Sequence, residues 1–452
     1  MSANIPLFIL GHPRSGTTAL AQLLNTVPEV ACLYQEGNLL YRLWQTLQRI
    51  DVLNEPVCDL LMDFSVTARH NLVNRAPKKD AQKLLFPQDA IEQLEQTYRH
   101  GLQTSHDPQK IYARVSTAFF ALFARNAESR IVGDKVPDFI IIPEHITAPH
   151  PDSRVIFIAR DPRAVVHSAL RFNKQCLHLF AAPSAFAMAV SFCLKQKGLN
   201  RFFADFAGDR LLCLDQEELR TSPQAVARKA AAFLSTPVPP GKTSGIPAPE
   251  TKNRQTEMAP EDKQAVTAVA CAFGVLDAKR KTPGKWREKA EGMHELSCCP
   301  AQSIPQCVRQ AATFFRESDD EKNELGHTLV QLADYSHKRA DFHRASSLFR
   351  QAVAVIPQDP VAWYKYGTLC YDMKQCDKAL FCTEQSGKHC PSTAYYGFLQ
   401  AKNHYLAGMT ERLMGSTQKA ERAFQAALKT KPDFSLPLKM LDILQSQKAN
   451  PQ

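Results

Sequence analysis

Residues 5–21, Ile5-Pro6-Leu7-Phe8-Ile9-Leu10-Gly11-His12-Pro13-Arg14-Ser15-Gly16-Thr17-Thr18-Ala19-Leu20-Ala21, decide how this chain is read. Leu7–Leu10 is an apolar run with the length and composition of a buried strand. A glycine-bounded segment from Gly11 to Thr18 follows at once, and then a helical pattern through Leu20, Leu23 and Leu24. Strand, glycine loop and helix start together predict a phosphate cradle. Successive backbone N–H groups and a helix N-terminus, with about half a positive charge, point at an anion.

The glycine spacing is that of the nucleoside-triphosphate loop G-x-x-x-x-G-K-[ST], whose lysine reaches the terminal phosphates. Gly11 and Gly16 keep that spacing, but Thr17 stands where the lysine belongs and the loop carries Arg14 instead. Such a loop can hold a 5′-phosphate with its amides and the Thr17 and Thr18 hydroxyls, and it lacks the usual device for a γ-phosphate. Pro13-Arg14-Ser15-Gly16-Thr17-Thr18 after an apolar strand resembles the 5′-phosphosulfate-binding loop of the sulfotransferases. These enzymes use 3′-phosphoadenosine 5′-phosphosulfate (PAPS). The arginine-bearing form is similar to that of the protein-tyrosine sulfotransferases and many Golgi and bacterial relatives.

Three further segments carry the resemblance. Ile131-Val132-Gly133-Asp134-Lys135-Val136-Pro137 is a short apolar strand ending in a lysine, similar to the family's K-x-P. Ligands of open parallel sheets bind at strand carboxyl ends, where Lys135 would sit. Arg154–Ala159 is the clearest buried strand, and it runs into Arg160-Asp161-Pro162-Arg163-Ala164-Val165-Val166-His167-Ser168. This strand-to-helix junction resembles the family's 3′-phosphate motif R-D-x-R-x-x-x-x-S, and a guanidinium fork with a hydroxyl suits a phosphate. Pro283-Gly284-Lys285-Trp286-Arg287 resembles the closing G-x-W-[RK] segment, which implies that Lys285, Trp286 and Arg287 help to hold the nucleotide. One departure stands out: after the predicted strand Leu211–Leu214, Gln216 replaces the tyrosine usual in relatives.

The resemblance implies in-line sulfuryl transfer from PAPS to an acceptor hydroxyl or amine, with adenosine 3′,5′-bisphosphate leaving. Negative charge grows on the bridging oxygen, so fixed cations lower the barrier, as in phosphoryl transfer. Arg14 and Lys135 are the candidates, and no metal is called for. A phenol or alcohol acceptor also needs a base within about 3 Å of its proton. Glu36, after the predicted second strand Val30–Tyr34, lies near the glutamate proposed for that task in the tyrosine sulfotransferases. The local sequence is Tyr34-Gln35-Glu36-Gly37 rather than G-E-E, so an exposed strand-end carboxylate is the competing reading and His12 an alternative base.

Composition narrows the classes. The 452 residues suffice for two or three domains, and 44% hydrophobic with 22% charged residues is soluble globular material. A net charge of +10 suits an anionic ligand or acidic acceptor, but without a basic block nucleic acid is not expected. No stretch approaches the roughly 20 apolar residues of a membrane span. The first apolar run is too short, and has no basic leader, for a signal peptide. A cytoplasmic protein is therefore expected. The 13 cysteines include no C-x-x-C pair, which points away from zinc and thioredoxin chemistry.

Beyond a Pro- and Gly-rich stretch, Pro237–Pro260, read as a surface loop over the cofactor, the pattern stays helical. Pro357 and Pro391 are 34 residues apart, as are Ala345 and Ala379. That is the tetratricopeptide period, each unit a pair of antiparallel helices. Ala333, Ala345, Phe349, Ala352 and Pro357 mark one unit, and Trp363, Gly367, Ala379 and Pro391 the next. A third ends in Ala420, Phe424, Ala427 and Pro432, with extra residues expected near Gly408–Ser416, between its helices. The expected architecture is an α/β sulfotransferase fold, a P-loop-type parallel sheet flanked by helices, over 1–292. A linker at 293–320 and an all-α tetratricopeptide solenoid of about three repeats at 321–447 follow. The predicted activity is PAPS-dependent sulfation, of protein tyrosine first, by an acceptor-docking helical array. A glycan or small-molecule acceptor and a non-catalytic nucleotide-binding scaffold are the alternatives. The oligomeric state is left open.

Overall fold

The computed structural model describes residues 4–33, 38–72, 86–176, 184–206, 208–237, 258–277, 284–393 and 396–449. They fall into two compact units, 1–161 with 198–257 and 162–197 with 258–452.

The first unit is built on five parallel strands, β1 Ile5–Leu10, β2 Val30–Cys32, β3 Ile131–Asp134, β4 Arg154–Ala159 and β5 Leu211–Asp215. Their order is β2-β3-β1-β4-β5. A parallel sheet covered on both faces should read as unbroken apolar runs. Leu7, Phe8, Ile9 and Leu10 are all fully buried, and so are Val155, Ile156 and Ile158. On one face Leu7, Ile9, Ile156 and Ile158 pack against Leu20, Leu23 and Leu24 of the helix Thr17–Leu24. Val226, Ala230 and Leu234 of the helix Pro223–Leu234 join the same cluster. On the other face Phe8 meets Phe120 edge-on at 5.4 Å and Phe139 at 6.0 Å.

β2 is shorter than the Val30–Tyr34 expected, ending at Cys32 within the described residues. Asn25, which ends the Thr17–Leu24 helix, clamps it: Nδ2 donates to the Cys32 carbonyl at 3.0 Å, and Oδ1 accepts from the Cys32 N–H at 2.6 Å. After β2 come the helices Leu39–Leu47, Val57–Leu72 and Gln88–Thr104, the last two preceded directly by Pro56 and Pro87. The stretch 238–257, most of the surface loop expected over the cofactor, lies outside the described residues.

The second unit is helical. The segment 293–320 is largely helix: Gly284–Cys298 runs into its first residues, and Ile304–Ala312 follows. Three helix pairs come next: Asp319–Lys338 with Phe342–Val355, Pro360–Asp372 with Cys376–His389, and Gly397–Leu413 with Thr417–Thr430, before the last helix Ser435–Ala449. Ala333, Ala345, Phe349, Ala352, Ala379, Ala420, Phe424 and Ala427 are all fully buried. His327 reaches Asp359 at 2.9 Å and His337 reaches Asp372 at 2.7 Å, so Asp319–Lys338 is tied to both ends of Pro360–Asp372. The extra residues of the last pair do not form a wide loop between its helices. Gly397–Leu413 has 17 residues where Pro360–Asp372 has 13, so much of the insertion is extra helix. A Cβ on Gly408 would stand 2.5 Å from the Phe424 ring, which is why that close crossing has glycine. No helix among the described residues is long and apolar enough to cross a membrane.

One buried histidine makes the first unit pH-sensitive. His150 is packed against Phe8 and Phe120, and its Nε2 lies 3.1 Å from Ser116 Oγ. The Ser116 hydroxyl donates to the Ala113 carbonyl at 3.1 Å, so His150 Nε2 carries the proton as donor. Burial pushes the imidazole down to about 4 from its ordinary 6.5. The unfolded chain therefore binds the extra proton between those two values, and stability rises with pH across that window. Urea unfolding should show full stability above pH 6.5, falling by about 3 kcal/mol as the pH drops below 4. His150→Gln should flatten that slope.

Candidate functional site

The strand order puts β1 at the centre, with the chain crossing first to β2 and β3 on one side and then to β4 and β5 on the other. The carboxyl end of β1 is thus the switch point of the sheet, where ligands of open α/β sheets bind. Four neighbouring strand ends deliver the Gly11–Thr18 loop, Lys135, Arg160 and Gln216 to this edge.

The loop turns at once. The Ser15 N–H donates to the His12 carbonyl at 2.9 Å, with Pro13 and Arg14 between them. Arg14 has φ +72°. Proline followed by a residue of positive φ is the chemistry of a type II turn, in which glycine or asparagine usually takes the second place. Gly16, at φ +97°, then starts the helix Thr17–Leu24 without a side-chain cap. Its carbonyl accepts the Leu20 N–H at 3.0 Å, and the N–H groups of the first turn have no intrahelical partner. Gly11 is fixed by close approach. A Cβ there would stand 2.6 Å from Ser15 Oγ and 2.7 Å from Ile158 and Thr17 side-chain carbons. Ser15 itself is buried, and its hydroxyl has no hydrogen-bond partner among the described residues.

Lys135 follows β3 directly and is only 2% exposed. Its Nζ donates to Thr18 Oγ1 at 3.2 Å, joining the end of β3 to the first turn of the loop helix. Arg160, at the end of β4, donates through Nη1 to the Arg14 carbonyl. Its buried Nε finds no partner among the described residues. Burial, and next the Arg14 guanidinium, press Arg160 below its ordinary value, while Asp161 and Glu217 oppose them. Two guanidinium groups close enough to repel, beside free helix N–H groups, form a setting that an anion would relieve.

At β5, Asp215 caps the helix Gln216–Thr221 by accepting from the Glu217 N–H at 2.7 Å. Gln216 then lies against Gly16, its Cγ 3.3 Å from where a Cβ would stand. In the sequence Gln216 stands out only as a departure from the family. The capping Asp215 before a helix is the available signal of its placement.

Pro13, Arg14, Ser15, Gly16, Thr17, Thr18, Lys135 and Arg160 are therefore brought together within the first unit. His12, weighed as a base, is buried beneath the loop at 3% exposure. Glu36 lies outside the described residues. Ser168 is half-buried on the helix Pro162–Cys176, in the second unit. Lys285, Trp286 and Arg287 also belong to the second unit, on the helix Gly284–Cys298. Lys285 pairs with Glu261 at 3.2 Å and Arg287 with Glu291 at 2.8 Å. Trp286 is buried, stacked on Phe186 at 5.9 Å, with the Lys289 ammonium 5.3 Å from its ring centre. Each of the three has a partner of its own there, and the tryptophan packs as a core residue.

Among solved structures the chain is similar to a sulfotransferase from Alicyclobacillus acidocaldarius, at 15% identity and a TM-score of 0.36, over 63% of this chain and 99% of that one. Sulfotransferase STF1 from Mycobacterium tuberculosis H37Rv matches at 18% identity and a TM-score of 0.33, over 59% and 71%. The sulfotransferase domain from the curacin biosynthetic pathway matches at 18% and 0.32, over 53% and 76%. No curated protein sequence matches. The family model described as "Sulfotransferase family" matches residues 6–240, more than half of the chain, from β1 past β5. The chain belongs to the sulfotransferase family.

Proposed function

We propose that this protein moves the sulfuryl group of PAPS to an acceptor hydroxyl, protein tyrosine first, and releases adenosine 3′,5′-bisphosphate. One observation carries the reading: the loop, Lys135 and Arg160 converge at the carboxyl ends of three adjacent strands. The fit to the donor rests on orphaned groups. Ser15 Oγ and Arg160 Nε are buried without partners among the described residues, and the helix start is uncapped. PAPS supplies the sulfuryl group and a leaving group whose bridging oxygen gains negative charge.

In this reading the first-turn amides and the hydroxyls of Ser15, Thr17 and Thr18 hold the 5′-phosphate oxygens. Lys135, fixed by Thr18, and Arg14 place positive charge where negative charge develops. Such preorganised charge acts more strongly at a site shielded from water. Arg160, with Ser168, is assigned to the 3′-phosphate, and Glu36 to the acceptor proton. Lys285, Trp286 and Arg287 keep the nucleotide-holding part that the resemblance gives them. The helix pairs, read as tetratricopeptide repeats, recruit a protein acceptor. The buried small residues at the 34-residue spacing support that assignment.

Transfer of label from sulfur-labelled PAPS to host lysate tests the whole reading. Label on tyrosine of protein, lost by about 10²–10³ in Lys135→Ala, is the expected result. Label confined to a glycan or low-mass fraction would keep the transfer chemistry and remove the protein acceptor. No label at all, with nucleotide still bound, would leave a scaffold.

Two binding measurements separate the parts of the site. Adenosine 3′,5′-bisphosphate should bind more tightly than AMP, and equal affinities would remove Arg160 and Ser168 from the 3′-phosphate. Gly11→Ala should weaken both ligands and cost about 1–3 kcal/mol of stability, the usual penalty of overpacking. Unchanged binding in a destabilised Gly11→Ala would detach the loop from the anion.

A further inference from the structure

The second unit holds a cluster of chemistry that sulfuryl transfer does not use. Cys298 ends the helix Gly284–Cys298 and is exposed. Lys197, on the helix Ala185–Asp205, donates through Nζ to its Sγ at 3.5 Å. His294, one helical turn back, brings Nε2 to 3.9 Å from the same sulfur and 3.1 Å from Lys197 Nζ. Ser297 Oγ stands 3.6 Å away. We propose that Cys298 is a reactive thiol that exchanges with low-molecular-weight disulfides, with Lys197 and His294 setting its reactivity.

The geometry answers the main objection to a thiolate here. A helix C-terminus ends in unpaired carbonyls, whose field opposes negative charge. Arg344, from the helix Phe342–Val355, covers those carbonyls: Nη2 donates to Leu296 O at 2.8 Å and Ser297 O at 2.9 Å, and Nη1 donates to Cys299 O. The end of the helix is thereby neutralised, and the Lys197 ammonium is left to act on the sulfur. His294, held edge-on to Phe273 at 5.1 Å, is pushed down from its ordinary value by burial and then by Lys197, with Glu295 opposing. Its ring is therefore neutral at physiological pH. Facing the ammonium, Nε2 is an acceptor.

The neighbouring cysteine shows the opposite setting. Cys299 is buried, and burial, with Cys307 beside it, pushes its thiol up to about 11. Within one dipeptide, then, an exposed sulfur next to an ammonium precedes a buried and inert one. In the exchange the Cys298 proton goes to solvent, and its sulfur attacks one sulfur of the disulfide. The new S–S bond forms as the old one breaks, and the departing thiolate takes up a proton. No further oxidant is needed.

Nitrobenzoate disulfide reagent on the folded full-length protein, read by peptide mass spectrometry, tests the proposal. Cys298, with the Lys197 ammonium against its sulfur, should react about threefold faster or more than exposed Cys58, the internal reference. Lys197→Met should bring Cys298 back to the rate of Cys58, and Lys197→Arg should restore it. An unchanged circular dichroism spectrum and thermal midpoint would show that both variants are folded. A Cys298 rate equal to that of Cys58 in the unaltered protein, or unaltered by Lys197→Met, would overturn the proposal.

Discussion

A lysine buried to 2% exposure at the end of a strand is the most demanding group in the first unit. Taking an ammonium out of water costs several kcal/mol unless hydrogen bonds or a counter-charge offset it. Lys135 meets the Thr18 hydroxyl, which rides on the first turn of a helix whose free N–H groups are themselves positive. Arg14 and Arg160 add two guanidinium groups that disfavour one another. Under the proposed function a bound anion would offset both the burial and the repulsion, by accepting hydrogen bonds from these donors.

The arrangement holds only while the strands keep their register. Phe8 of β1 pairs with Asp134 of β3, and Leu10 of β1 with Phe157 of β4. Successive strand residues point to opposite faces, so a slip of one residue in β3 would turn Lys135 away from Thr18. Close packing in β3 opposes the slip, since a Cβ at Gly133 would stand 2.6 Å from Cys32 Sγ. Asn25 prevents it at the far edge by holding Cys32 through two hydrogen bonds. The rigidity of the site is thus a property of the sheet, and its chemistry a property of the residues just beyond each strand's carboxyl end.

That division explains what the sequence disclosed. β1 and β4 were legible because strands covered on both faces leave unbroken apolar runs, and the loop because Gly16 and Gly11 each meet a backbone or packing demand that no other residue meets. β2 was less so: three residues are too few for periodicity to mark their end. Lys285-Trp286-Arg287 is less sharply read, because a short motif of aromatic and basic residues also describes a buried tryptophan beside surface ion pairs. The extra residues before Thr417 read as lying between the helices because a lengthened helix adds residues without breaking its own pattern. The environment of Cys298 was invisible for a different reason, since Lys197 reaches it from 101 residues away and no local pattern records that approach.

Residue 14 is where stability and chemistry part. Its positive φ turns the Arg14 carbonyl to accept from Arg160, and any residue able to adopt that conformation would present the same carbonyl. Glycine would do so without the roughly 1–2 kcal/mol that a side chain costs in the left-handed region. The turn therefore does not call for arginine and is mildly burdened by it. The guanidinium is exposed at the rim of the loop and set against a second one. Strain kept at such a position is the usual mark of a group held for a ligand. In the proposed reading, an anion held at the helix N-terminus beside Lys135 would offset both the strain and the repulsion.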